Sequence, residues 1–164
     1  MPPFFRNTED ETGGSLFDRL SELGAELLVK TLPSVFDGTA VYEPQPEESP
    51  TPYAGMITKQ MGLLDFQKDA ETLERLIRGL NPWPSAYTYL NGKTLKIWKA
   101  AVEKSGSEPE TIIKADKDGI HVVCGQDILI LQEVQLEGKK RMDAAAFLRG
   151  CHVESGTMLL DHKE

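Results

Sequence analysis

The sequence has little of what marks a membrane, secreted or metal-binding protein. No apolar run of about eighteen residues occurs in the 164, so no membrane-spanning helix is expected. The first residues, Met1-Pro2-Pro3-Phe4-Phe5-Arg6, lead at once into acidic sequence and lack the long apolar stretch of a secretory signal. Only two cysteines are present, Cys124 and Cys151, 27 residues apart and with no Cys or His at ligand spacing. That argues against a disulfide framework and for buried, reduced thiols in a cytoplasmic protein. The three histidines, His121, His152 and His162, are scattered, so no metal site is expected. No internal repeat is visible. The apolar fraction of 40% permits a core of moderate size, in one compact domain with attachments or in two small units.

What is present begins with charge, and the charge is unevenly placed. Residues 1–52 hold three basic groups (Arg6, Arg19, Lys30) against ten acidic ones, a net −7, whereas residues 53–164 hold fifteen against sixteen. A polyanion would be repelled by the first third and tolerated by the remainder.

Along the chain, residues 1–14 read as irregular, and Ser15 to Leu32 as an amphipathic helix. Ser15 is the expected N-cap with Asp18 three residues on, Leu16, Leu20, Leu23, Leu27 and Leu28 form the apolar stripe, and Pro33 is expected to stop it. A short β-like piece is expected at Thr39–Tyr42. Residues 43–52 carry four prolines and three glutamates, the composition of an extended, semi-rigid linker. Asp69 or Ala70 opens a second helix with the stripe Leu73, Leu76, Ile77 and Leu80, ended by Asn81-Pro82. Ala86–Leu90, the turn Asn91-Gly92 and Thr94–Ala100 read as a β-hairpin. Further strands are expected at Thr111–Ala115, Ile120–Val123 and Ile128–Val134, then a short helix capped by Asp143 and closed by Gly150. The fold class expected is therefore mainly β with flanking helices (α+β): a small OB-like β-barrel, closed or half-closed, preceded by a detached amphipathic helix and a linker.

The string Asn81-Pro82-Trp83-Pro84 is unusual. Two prolines fix the backbone around a large ring, which suits a rigid corner; Trp83 is expected to plug the mouth of the barrel and Asn81 to tie down the helix end. The sharper alternative for Trp83 is stacking on an RNA base.

From here the sequence resembles a known family. Asn81-Pro82-Trp83-Pro84 followed by Ala86-Tyr87-Thr88-Tyr89-Leu90-Asn91-Gly92-Lys93-Thr94-Leu95-Lys96-Ile97-Trp98-Lys99-Ala100 resembles the start of the C-terminal domain of methionyl-tRNA formyltransferases. Thr12-Gly13-Gly14-Ser15-Leu16, Asp18-Arg19-Leu20 and Leu23-Gly24-Ala25-Glu26-Leu27-Leu28 resemble the last helix of that family's formyl-transfer domain. Tyr53-Ala54, Ile57-Thr58-Lys59 and Asp65-Phe66 resemble its interdomain linker and the entry into its second domain. Asp116–Ile120, Cys124-Gly125, Glu137–Met142 and Phe147–Gly150 fit the remainder, so the resemblance spans roughly residues 12–160, leaving 1–11 outside it.

The resemblance implies a division into 1–42 (the end of the formyl-transfer domain), 43–58 (linker) and 59–164 (an OB-like tRNA-binding domain). It implies a protein that formylates the methionyl group of initiator tRNA with 10-formyltetrahydrofolate, in the cytoplasm, at translation initiation. The family's chemistry belongs to an N-terminal Rossmann-like domain, where an Asn, a His and an Asp act. No Asn-x-His followed by Ser-Leu-Leu-Pro occurs here, so no catalytic residue is carried over, no cofactor is expected on this chain, and the chain by itself is expected to be inactive.

The implied role is tRNA binding through phosphates, with initiator methionyl-tRNA and the Rossmann-like domain as partners. The candidates are Lys59 in the linker, Lys93, Lys96 and Lys99 in and beyond the hairpin turn with Lys104 after them, and Lys139-Lys140-Arg141. Strand alternation sends Leu95, Ile97 and Lys99 one way and Lys96, Trp98 and Ala100 the other. Lys96 and Lys99 then share a face only if the strand bulges, and the basic patch is expected to come from separate loops. One departure is Pro109-Glu110-Thr111, where the family commonly has Pro-Gly-Thr. Two other readings stand beside this one: the barrel of a related sugar or folate formyltransferase, and a free-standing RNA- or protein-binding module.

Overall fold

A computed structural model describes residues 7–48, 51–104 and 112–159. Three helices, α1 (Gly13–Phe36), α2 (Ala70–Gly79) and α3 (Ala144–Gly150), accompany six strands: β1 (Ala86–Leu90), β2 (Lys93–Glu103), β3 (Ile112–Asp116), β4 (Gly119–Val123), β5 (Ile128–Leu136) and β6 (Met142–Asp143). A short 3-10 turn spans Lys59–Gly62. The class is α+β.

All strand pairs are antiparallel in the order β1-β2-β5-β4-β3, with β6 paired to β5 beside β4. Asn91 (φ 49°) and Gly92 (φ 71°) make the tight β1–β2 turn, because two successive left-handed residues match the twist of a hairpin. Leu90, Leu95, Ile97, Leu129, Leu131, Val134, Ile120 and Val122 are buried with Leu73 and Ile77 of α2 and Phe147 of α3, forming one core. Asp69 and Asp143 cap α2 and α3 by accepting from the backbone N–H of Thr72 and Ala146.

Several expectations need correction. The sheet is not a closed barrel: β1 and β3 are its two ends, and no ladder joins them among the described residues. Helix α1 starts earlier than expected, with Thr12 rather than Ser15 as cap; each hydroxyl accepts from the other residue's backbone N–H. It also runs through Pro33 to Phe36, since the missing N–H removes a single helical bond and Asp37 N–H to the Pro33 carbonyl closes the last turn. No strand forms at Thr39–Tyr42; the Asp37 carboxylate takes both the N–H and the hydroxyl of Thr39, a local turn that competes with pairing. Those bonds hold the Asp37 carboxyl below its ordinary value. Residues 109–111, with the Pro-Glu-Thr departure, lie outside the described residues.

The Asn81-Pro82-Trp83-Pro84 corner joins the helices. Both X-Pro bonds in it are cis. Gly14 N–H donates to the Asn81 carbonyl, Asn81 Nδ2 donates to the Trp98 carbonyl, and Arg78 donates to the Glu11 carbonyl. A Cβ on Gly13 would stand 2.3 Å from the Gly79 carbonyl oxygen, so the first turn of α1 has to be glycine to sit this close to the end of α2. Trp83 does not plug anything: with no closed mouth to fill, its ring is 60% exposed. Beyond its first turn α1 packs on little, and none of its residues is buried.

Candidate nucleic-acid interface

The outward face of β1, β2 and β5 is where cations and aromatic rings meet. On β1 it presents Tyr87 and Tyr89, whose rings touch edge to face at 5.9 Å. Tyr87 pairs with Lys96 of β2, and Lys96 pairs with Gln135 of β5. The register then shifts twice. Ile97 faces Val134, Lys99 faces Glu133 and Ala100 faces Leu131, so Trp98 is an extra residue on β2 and Gln132 a compensating one on β5. Ile97 lies in the core and Ala100 packs against it. Trp98 and Lys99 therefore both stand on the outer face with Lys96. The bulge overturns the expectation that the patch is drawn from loops alone.

The second contribution comes from the turn between β5 and β6. Gly138 at φ 77° allows the chain to reverse, and Gln135 Nε2 donates to the Lys139 carbonyl, which pins the turn back onto the outer face. Lys139 and Lys140 are exposed, and neither has an ion pair among the described residues. Arg141 folds over the sheet, its guanidinium carbon 4.7 Å from the centre of the Trp98 ring, and Lys96 Nζ lies 5.7 Å from the same centre. The quadrupole of the indole attracts both cations. The Trp98 Nε1 is buried and has no acceptor among the described residues, so the indole serves as a surface rather than as a donor.

One carboxylate sits inside this patch. Arg141 Nε and Nη2 donate to the two oxygens of Glu133 at 2.5 and 2.6 Å, a two-pronged pair. These bonds hold the Glu133 carboxyl below its ordinary value and raise that of Arg141. The face thus sets Lys96, Lys99, Lys139, Lys140 and Arg141 against Glu133, Glu137 and Asp143, and remains cationic although the whole chain is at −8.

The remaining candidates fall around this face. Lys59 is exposed in the 3-10 turn, which abuts the outer face: a Cβ on Gly62 of that turn would meet the Ser85 carbonyl at 2.2 Å and the Tyr87 ring at 3.3 Å. Lys93 is exposed at the hairpin tip opposite Leu90, on the core-facing parity of β2. Lys104 is not a free cation, because its ammonium bonds Glu71 and Asp127 at 3.0 and 2.9 Å and ties α2 to the β4–β5 turn. Trp98, Glu133 and Gln135 are the residues that reasoning from sequence missed. Their roles depend on cross-strand register, which a single sequence does not print.

Known proteins share this outline. A family model described as "Formyl transferase, C-terminal domain" matches residues 56–152, more than half of the chain, and the chain belongs to that family. It is 54% identical to the methionyl-tRNA formyltransferase of Agathobacter rectalis over 154 residues, covering 93% of this chain and 49% of that protein. It is 53% identical to the methionyl-tRNA formyltransferase of Lachnospira eligens over 156 residues, covering 91% of this chain and 49% of that protein. The chain thus spans about half the length of these relatives. Among solved structures it resembles HypX from Aquifex aeolicus in complex with tetrahydrofolic acid, at TM-score 0.63 and 14% identity, over 87% of this chain and 26% of that one. At that identity the likeness is one of fold. No helix among the described residues is long and apolar enough to cross a membrane.

Proposed function

We propose that the chain is the RNA-facing C-terminal part of a methionyl-tRNA formyltransferase, an enzyme that formylates the methionyl group on initiator tRNA with 10-formyltetrahydrofolate at translation initiation in the cytoplasm. The observation that carries the reading is the cationic, aromatic face on which Lys96, Trp98, Lys99 and Arg141 are brought together beside the pinned Lys139-Lys140 turn. Ammonium and guanidinium groups hold phosphates and release their counterions, and that orients an RNA without reading its bases. Lys59 and Lys93 extend the surface at its margins. Tyr87, Tyr89 and the Trp98 ring add apolar area on which sugars or unpaired bases can rest.

No residue of this chain is assigned to folate binding or to formyl transfer. That chemistry belongs to an N-terminal Rossmann-like domain, which would cover the exposed stripe Leu20, Leu23 and Leu27 on α1. The division 1–42, 43–58 and 59–164 belongs to the same reading, and so does an OB-like description of the sheet, as a half-barrel in which no ladder joins β1 to β3 among the described residues.

The test is equilibrium binding of initiator tRNA across salt. Four to six phosphate contacts would lower affinity by about two to three orders of magnitude between about 50 and 200 mM salt, linearly on logarithmic axes. Absence of salt-sensitive binding overturns the reading.

A further inference from the structure

The geometry points to Glu133 as an internal stand-in for phosphate: its carboxylate occupies the fork of Arg141 in the free protein and yields that fork to a backbone phosphate of the bound RNA. This rests on the reading of the β1–β2–β5 face as an RNA surface and adds a residue that sets its strength.

Three observations carry it. The pair is two-pronged, at 2.5 and 2.6 Å, and a guanidinium offers a phosphate the same two parallel N–H groups. Both partners are within reach of solvent, with 29% of the Glu133 side chain and 44% of the Arg141 side chain exposed. A ligand can therefore approach without opening the core, and an exposed ion pair of this kind is weak enough to exchange. Finally, Arg141 has a second support: its guanidinium lies over Trp98, a contact that does not depend on Glu133. When the carboxylate leaves, the fork stays on its platform, pre-aimed. Asp143 faces Glu133 across β5–β6 and opposes its charge, which favours its swinging away, whereas Lys99, its partner across β2–β5, favours its staying.

The consequence is that the free protein carries one fewer available phosphate site than its cation count suggests. Binding of RNA would proceed by exchange, with one protein carboxylate replaced by one phosphate and the released carboxylate returned to water. A patch of such modest charge then binds only where several phosphates arrive together.

The experiment is a double-mutant cycle in the full chain, with initiator tRNA as probe and dissociation constants measured across salt. Glu133→Gln keeps the size of the side chain and lies at the surface, so it should fold; thermal melting checks this. The expected result is about fivefold tighter binding at each salt concentration with the logarithmic salt slope nearly unchanged, because Arg141 meets the same phosphate in both complexes and only the competing carboxylate is gone. In an Arg141→Ala background the same change should give much less, because no fork remains to be freed. An unchanged or weaker affinity of Glu133→Gln overturns the proposal, since it would make Glu133 a support for Arg141. An equal gain in both backgrounds also overturns it, since that is simple removal of negative charge. If the unsubstituted chain shows no salt-sensitive binding, the RNA surface itself is refuted. Salt-sensitive binding by the unsubstituted chain with a flat cycle refutes the exchange alone.

Discussion

Cys124 and Cys151 illustrate how burial separates two residues of one type. Both are free thiols, but Cys124 lies in the core while Cys151 is only half-buried. Loss of solvent pushes the Cys124 thiol up to about 12, so it carries almost no thiolate at neutral pH. An alkylating reagent at about pH 8 should label Cys151 in the native chain and reach Cys124 only on unfolding; equal native rates would contradict this. The carboxylates behave in the opposite sense. Contact with the Lys114 ammonium and the Asp118 N–H lowers Asp116 to about 2. A depressed carboxyl stabilises the fold above its unfolded value near 4, and that contribution disappears as pH falls through the folded value. The difference in Tm between the chain and its Asp116→Asn variant should therefore hold from pH 7 down to about pH 5 and close toward pH 2. Circular-dichroism melts read it directly.

At the scale of elements, close approaches rather than buried area fix how the pieces sit. A Cβ on Gly125 would lie 1.9 Å from the Gln67 carbonyl, while its N–H already donates to the carbonyls of Phe66 and Lys68. Gly125→Ala should cost about 2 kcal/mol, or roughly 4–8 °C in Tm, because the segment before α2 must move off the β4–β5 turn. Gly13→Ala should instead loosen α1 alone. Limited proteolysis should cut α1 faster in that variant, while the sheet melts almost unchanged. The elements themselves were largely legible: Asn91-Gly92 between alternating strands marks a hairpin, and Asp69 and Asp143 before apolar stripes mark helix starts. What was not legible depends on distant partners. The two-residue strand β6 exists only because β5 runs past β4, and the bulge at Trp98 shows only against Glu133 and Leu131. The likeness of residues 81–100 to a family drew attention to the lysines of β2, but strict alternation set Lys96 and Lys99 on opposite faces, where the bulge sets them on one. Pro33 and Thr39–Tyr42 failed for a local reason, since side-chain and end effects outweighed average propensity there.

For the molecule as a whole, the division of labour is between a packed sheet with two short helices and a long helix that touches them at its first turn and has no fully buried residue. Leu20, Leu23 and Leu27 stay exposed, with Leu27 at 61%. Replacing Leu20 and Leu27 by lysine should therefore change stability by less than about 0.5 kcal/mol per site, as surface substitutions do, while reducing self-association in light scattering. A large drop in Tm would mean that the stripe is already packed. The charge of the molecule points the same way, with an acidic first third set beside a cationic face built on β2, β5 and the β5–β6 turn. The most direct measurement of that face is the salt slope of initiator-tRNA binding for the triple variant Lys139→Ala, Lys140→Ala, Arg141→Ala. Because these side chains are exposed, the variant should melt close to the unsubstituted chain, yet bind more weakly with a logarithmic slope shallower by about two. An unchanged slope and affinity would contradict an RNA surface at this place.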